Sequence, residues 1–172
     1  MTWEDKATVA ARELVAALHA ELVRYGLVAW TAGNVSGRVA GAKLFVIKPS
    51  GVSYDDPAPA NMILCDLDGN VVPGSEGSGL SPASDTAAHA YVYRNMPQVG
   101  GVVHTHSTYA TARAARGEPV PCVITGMADE FGGEIPVGPQ IGQTVPIASE
   151  TIDALFNRHQ NVYGQQPQGA LS

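Results

Sequence analysis

A chain of 172 residues, 45% apolar and 15% charged, has the length and balance of one globular domain that buries its own core. Its net charge of −6, with no Lys/Arg cluster, argues against nucleic acid and anionic membrane as partners, and no apolar run reaches membrane-spanning length. The opening MTWEDK lacks a signal-peptide core, and Cys65 and Cys122, far apart in apolar surroundings, read as buried free thiols of a cytoplasmic protein.

Residues 3–25 carry a helical pattern. Val9, Leu14, Leu18 and Leu22 form its apolar stripe, His19 falls on the outer face, and Gly26 is the C-cap. A short apolar run, 27–30, leads into Thr31-Ala32-Gly33-Asn34-Val35-Ser36-Gly37. Gly and Asn between hydroxyl residues suggest a tight turn whose free N–H groups could hold an anion, with a plain hairpin turn as the alternative. Residues 44–47 read as a strand, ended by Lys48-Pro49-Ser50-Gly51, which offers a hydroxyl and an approachable backbone. Residues 61–66 and 70–72 flank Asp68-Gly69 as a hairpin. The Gly/Ser-rich stretch 73–81 is a loop.

The chemistry concentrates in 84–106, SDTAAHAYVYRNMPQVGGVVHTH. Ser84 is a helix N-cap and Asp85 lies in the first turn, where the helix dipole favours a carboxylate. Ala88, Tyr91, Val92 and Met96 supply the buried face, His89, four residues after Asp85 and able to pair with it on one face, reads as structural rather than as a ligand, and Pro97 ends the helix. The apolar run 99–103 is a buried strand ending in His104 and His106. Residues two apart on a strand share a face, so the two imidazoles converge, and with Asp85 nearby they suit zinc or a similar transition metal. Beyond them, 107–116 is a helix, 120–125 and 134–137 are strands, and 126–133 is a loop carrying Asp129 and Glu130. Residues 149–160 form a helix, 165–168 a polar loop, and 169–172 open another strand.

This order predicts an α/β chain with an at least partly antiparallel sheet. Dinucleotide, P-loop and serine-hydrolase signatures do not occur.

Gly33-Asn34-Val35-Ser36, Ile47-Lys48-Pro49-Ser50-Gly51, Ser84-Asp85-Thr86 with His89, and Val102-Val103-His104-Thr105-His106-Ser107 with Ala110-Thr111 occur in this order. As a set they resemble the class II aldolase/adducin-type family. Asp85, where the aldolases carry Glu, and Ala128-Asp129 with Phe131-Gly132 and Ile135-Pro136 look most like its L-ribulose-5-phosphate 4-epimerase branch.

The resemblance implies a central, mostly antiparallel mixed sheet flanked by helices, in one domain over 1–172. It implies a cytoplasmic homotetramer with active sites between subunits, and epimerisation of a phosphorylated sugar by retro-aldol and aldol steps at Zn2+ or another divalent transition metal. His104 and His106 would be metal ligands, with Asp85 at the metal as ligand or base. Gly33, Asn34, Ser50, Gly51 and Ser84 would cradle the substrate phosphate, and Asp129 would be an acid/base residue reaching across a subunit interface. Two alternatives are a fuculose-phosphate type of class II aldolase and a non-catalytic adducin-like assembly module. Two departures stand out. Ala83 replaces the first of two serines before the acid. The family's third zinc histidine and the epimerases' C-terminal tyrosine fall beyond Ser172, so the chain is expected to be truncated there, with His159 as a possible substitute ligand.

Overall fold

The computed structural model describes residues 4–55, 58–75 and 79–138. The readings placed on 149–160, 165–168 and 169–172, and on His159, lie outside the described residues. The chain divides into two compact units, Met1–Ser107 and Thr108–Ser172.

The first unit runs α1 (Lys6–Arg24), β1 (Asn34–Arg38), β2 (Leu44–Ile47), a 3-10 turn (Pro59–Asn61), β3 (Ile63–Asp66), α2 (Thr86–Asn95) and β4 (Gly101–His104). The four strands form one sheet in the order β3-β2-β1-β4, every pair antiparallel. Strand alternation divides the sheet into two faces, each with its own core. On one face Val39, Val46, Met62 and Leu64 pack with Val15 and Ala16 of α1. On the other, Phe45, Ile47, Ile63 and Cys65 pack with Ala90 and Tyr93 of α2 and with Ala83. Strands buried on both faces read as continuous apolar runs, which is why LFVI and ILCD were legible as strands.

Both helices are rotated from their predicted stripes. In α1 the buried residues are Thr8, Val15, Ala16, His19 and Leu22, whereas Leu14 and Leu18 are 59% and 39% exposed. In α2 they are Thr86, His89, Ala90 and Tyr93, not Ala88, Tyr91, Val92 and Met96. In each helix the cause is a buried histidine. The imidazole Nδ1 of His19 lies 2.6 Å from the Val15 carbonyl, and its Nε2 accepts the Val35 N–H at 3.0 Å. Because β1–β2 pairing ends at Ser36↔Ile47, this ring supplies the partner that Val35 would otherwise lack. His19 is therefore not on the outer face. Burial lowers its pKa to about 4 and keeps it neutral.

Other expectations are also revised. Residues 34–38 form a strand rather than the end of a turn, because β2 and β4 pair with β1 on both sides. The hairpin after β3 is present, but its return arm is a single bridge, Cys65↔Val71. The Asp66 carboxylate holds the turn by accepting the Asp68 and Asn70 N–H groups. Asp85, not Ser84, is the residue before the first turn of α2. Cys65 is buried, its thiol pushed up to about 12 by burial, but Cys122 is exposed.

In the second unit α3 spans Thr108–Ala115 and α4 spans Thr125–Phe131. The predicted strands 120–125 and 134–137 reduce to one bridge, Val120↔Ile135, and the predicted loop 126–133 is largely α4. Gly126 lowers helix propensity in that stretch, but Met127–Phe131 are adequate formers and Gly132, at φ 68°, closes the helix in the left-handed conformation that glycine tolerates.

Candidate functional site

The β1–β4 register sets Asn34 opposite His104, and on that face the N-terminus of α2 brings in Asp85. The Asp85 side chain does not cap its own helix. It reaches sideways instead: Oδ2 lies 2.8 Å from His104 Nδ1 and accepts a 2.8 Å hydrogen bond from Asn34 Nδ2. The hydrogen bond from His104 holds the Asp85 carboxyl down to about 2, with Asn34 adding to the effect against partial burial. Reciprocally, Asp85 raises the pKa of His104. An ionised carboxylate only accepts, so the neutral His104 ring carries its proton on Nδ1 and presents a free lone pair on Nε2.

His106, exposed just beyond β4, is held by its own N–H to the Leu27 carbonyl at 2.8 Å. Its ring centroid lies 4.9 Å from that of His104. Two adjacent imidazoles, one oriented through Nδ1 by a carboxylate, are the donor chemistry of a zinc-type site. His104 and His106 thus fit such an ion as ligands, and Asp85 fits as the group that orients one of them. Among the described residues no group of three or more His, Cys, Asp or Glu is arranged to hold a metal ion by itself.

One glycine-bearing turn, at Gly33, lies against this centre, and a second, 48–51, lies beside the residues that precede α2. Gly33 has φ +82°, and a Cβ there would meet Val28 Cγ1 at 2.7 Å and the His104 carbonyl at 3.0 Å, so only glycine lets the backbone pass so close to the histidine strand. The Tyr54 hydroxyl donates to the Gly33 carbonyl at 2.6 Å and to that of Ala32 at 3.0 Å. Segment 48–51 runs beside 81–83: Ser50 N–H donates to the Ser81 carbonyl, and Ala83 N–H to that of Lys48. Ser50, Gly51 and Ser84 are exposed. Ala83 is packed in the core of the α2 face, where a serine would bury its hydroxyl. Asp129 is exposed on α4, in the second unit.

Sequence reasoning passed over several residues here. Lys48 is 3% exposed. Its ammonium faces the Thr31 and Pro49 carbonyls at 3.4 and 3.3 Å and lies 5.0 Å from the Tyr54 ring centroid, a buried cation between the two glycine turns. Ser36 Oγ lies 2.7 Å from His89 Nδ1 and 2.8 Å from the Tyr93 hydroxyl. Arg38 donates to the Val99, Tyr93 and Met96 carbonyls. Their signal was a polar alternation, Asn34-x-Ser36-x-Arg38, matched to Asp85, His89 and Tyr93 at helical spacing.

The family model described as Class II Aldolase and Adducin N-terminal domain matches residues 13–166. The chain belongs to this family. Among relatives of the class II aldolase/adducin domain, the chain is 49% identical over 115 residues to a protein named probable L-ribulose-5-phosphate 4-epimerase UlaF from Mycoplasma pneumoniae, covering 67% of this chain and 46% of that one. It is 50% identical over 116 residues to L-ribulose-5-phosphate 4-epimerase UlaF of Salmonella paratyphi C, covering 67% and 49%. The chain thus spans about half the length of the curated relatives it matches. A solved structure named L-fuculose 1-phosphate aldolase superposes with a TM-score of 0.59 at 28% identity, over 66% of this chain and 51% of the other. The α/β architecture with an antiparallel sheet is that of the class II aldolases. No helix among the described residues is long and apolar enough to cross a membrane.

Proposed function

We propose that this class II aldolase/adducin domain carries the metal and phosphate half of a sugar-phosphate epimerase that interconverts L-ribulose 5-phosphate and D-xylulose 5-phosphate. The observation that carries the reading is the pairing of Asp85 with His104 at 2.8 Å, beside His106 and braced by Asn34. Support also comes from the two relatives named as epimerases, each about half identical over two-thirds of this chain.

Inverting a secondary alcohol that is not next to a carbonyl cannot proceed by simple deprotonation, so the carbon–carbon bond beside it is broken and remade on the other face. A divalent ion, when bound through His104 and His106, supplies Lewis-acid stabilisation of the charge that develops on the substrate oxygens. Asp85 holds His104 in the tautomer that leaves Nε2 free. Gly33, Asn34, Ser50, Gly51 and Ser84 grip the phosphate through N–H groups and hydroxyls, and this keeps the cleaved fragment in place while it turns. Asp129, contributed by a neighbouring subunit of a homotetramer, moves the proton at the new stereocentre. The working compartment is the cytoplasm.

The test measures zinc per chain and conversion of L-ribulose 5-phosphate, with His104→Ala as control. Near one zinc per chain, lost in the variant, together with xylulose 5-phosphate as product, is the expected result. Release of two fragments from the sugar phosphate would instead favour an aldolase, a second reading supported by the 28% identical fuculose-phosphate aldolase structure. No metal in the wild-type chain would overturn the metal reading.

A further inference from the structure

Strand β1 and helix α2 meet along a polar seam in which every second strand residue contacts roughly every fourth helix residue. Asn34 bonds Asp85, Ser36 bonds His89 and Tyr93, and Arg38 bonds the carbonyls of Tyr93 and Met96. Two strand residues advance about 6.7 Å and four helix residues about 6 Å, so the two periods nearly coincide and the contacts lock the helix in both rotation and axial position. Asp85 is the last member of this series, and His104 is tied to Asn34 by strand register. The separation of Asp85 from His104 is therefore set by how α2 is seated along β1.

At the centre of the seam is an oddity. His89 is 2% exposed, yet its Nε2 has no hydrogen-bond partner among the described residues. Leaving a buried polar atom unpaired typically costs about 1–3 kcal/mol, and a leucine would occupy similar space without that cost. What histidine adds over leucine is its Nδ1 contact with Ser36, itself joined to the Tyr93 hydroxyl. His89 also lines, with Asp85, Val102 and His104, a groove of about 390 Å3.

We propose that Ser36, His89 and Tyr93 form a positioning unit that seats α2 so that the Asp85 carboxylate meets His104 Nδ1, with His89 acting through its Nδ1 edge rather than by touching metal or substrate. The proposal rests on the metal-site reading above for its functional meaning, but its geometry is independent of turnover.

The experiment follows the His104 Nδ1–H proton by NMR in metal-free chain labelled with 15N-histidine, and then measures Zn2+ affinity by competition. In the wild type a carboxylate-bonded imidazole proton gives a protected downfield signal. His89→Leu and Ser36→Ala are expected to lose that signal and to weaken Zn2+ binding roughly 10–100-fold, as loss of a group orienting a ligand does, while unfolding stays cooperative. His89→Asn, whose amide sits where Nδ1 was, is expected to recover both. His89→Gln, which places its amide near Nε2, is not.

An unchanged signal in His89→Leu, or equal recovery by Asn and Gln, would overturn the proposal. If His89→Leu fails to fold, the nearly isosteric Ser36→Ala decides the same point. A wild type that shows the protected proton but no epimerase activity would sink the functional reading and leave the positioning claim to the variants. A wild type without the protected proton would sink the positioning claim itself.

Discussion

The two faces of β1 differ in kind. Its odd-numbered residues face α1: Val35 is buried, as is Val39 just past the strand, and a Cβ on Gly37 would come within 2.9 Å of Val15 Cγ2. The polar device on that face is His19, which closes the open N–H of Val35. Its even-numbered residues, Asn34, Ser36 and Arg38, face α2, and all three are polar and bonded. The lesson is that one five-residue strand separates stability from chemistry by side-chain alternation alone. Perturbing the α1 face should change unfolding and leave ligand binding nearly intact, whereas the end of the α2 face near His104 should do the reverse.

The largest expected effect breaks the comparison at its functional end. His104→Ala should reduce Zn2+ affinity by roughly 100-fold or more, since it removes a ligand rather than its support, while the urea midpoint stays close to that of the wild type because the His104 side chain is 38% exposed. A large drop in the midpoint would show that the two faces are not separable.

Acid should act through one buried histidine on each face, His19 toward α1 and His89 toward Ser36, both with pKa lowered from 6.5 to about 4 by burial. The unfolded chain therefore binds each of these protons first as pH falls. The His19 contribution is fully present above pH 6.5, declines between 6.5 and about 4, and is gone below, a change on the order of 3 kcal/mol. Lys48 and the Tyr54 ring, which face His19, hold no negative charge in that window and cannot compensate. Urea unfolding at pH 7 and pH 4.5 checks this. His19→Gln should flatten part of the slope, the remainder belonging to His89, and an unchanged slope in that variant would assign the whole acid sensitivity elsewhere.

Arg38→Ala tests the far end of the seam. It removes charge-assisted bonds to the carbonyls at the end of α2 and the stacking of the guanidinium 4.7 Å over Tyr93. A loss of about 2 kcal/mol is expected, with a smaller fall in Zn2+ affinity than His104→Ala gives.

The smallest effect concerns neither face. Trp30 is 96% exposed and holds φ 53°, a left-handed conformation unfavourable for a bulky side chain. Trp30→Gly should therefore raise stability by about 0.5–1 kcal/mol in thermal unfolding, and a loss would mean the indole makes a contact that matters.

Both helices were misregistered for one reason. In α1 and α2 a histidine sits at the centre of the buried face, so a stripe drawn through Leu14 and Leu18, or through Tyr91 and Val92, is turned away from the sheet, while Leu22 of that stripe is buried as read. Hydrophobic periodicity counts imidazole as polar, and only a specific backbone or hydroxyl partner makes its burial favourable. The nearness of Asp85, His104 and His106 was legible, because a strand end and a helix start are local features, whereas Asn34 was read as part of a turn and is instead the first residue of β1. Asp85 as a partner of His104 Nδ1, with Asn34 behind it, was not legible.

By itself, the sequence determined the strand 44–47, a second strand within 61–66, a helix beginning near Ser84 and Asp85, the His-x-His at the end of β4 and membership of the class II aldolase/adducin family. These depend on local pattern and on motif order along the chain. Only the tertiary structure decided that Asn34 lies opposite His104, that His19 and His89 point inward, and that Ser36 joins His89 to Tyr93. Those contacts join residues 16 to 70 positions apart, and their pairing is set by strand register and helix seating, which no local spacing encodes.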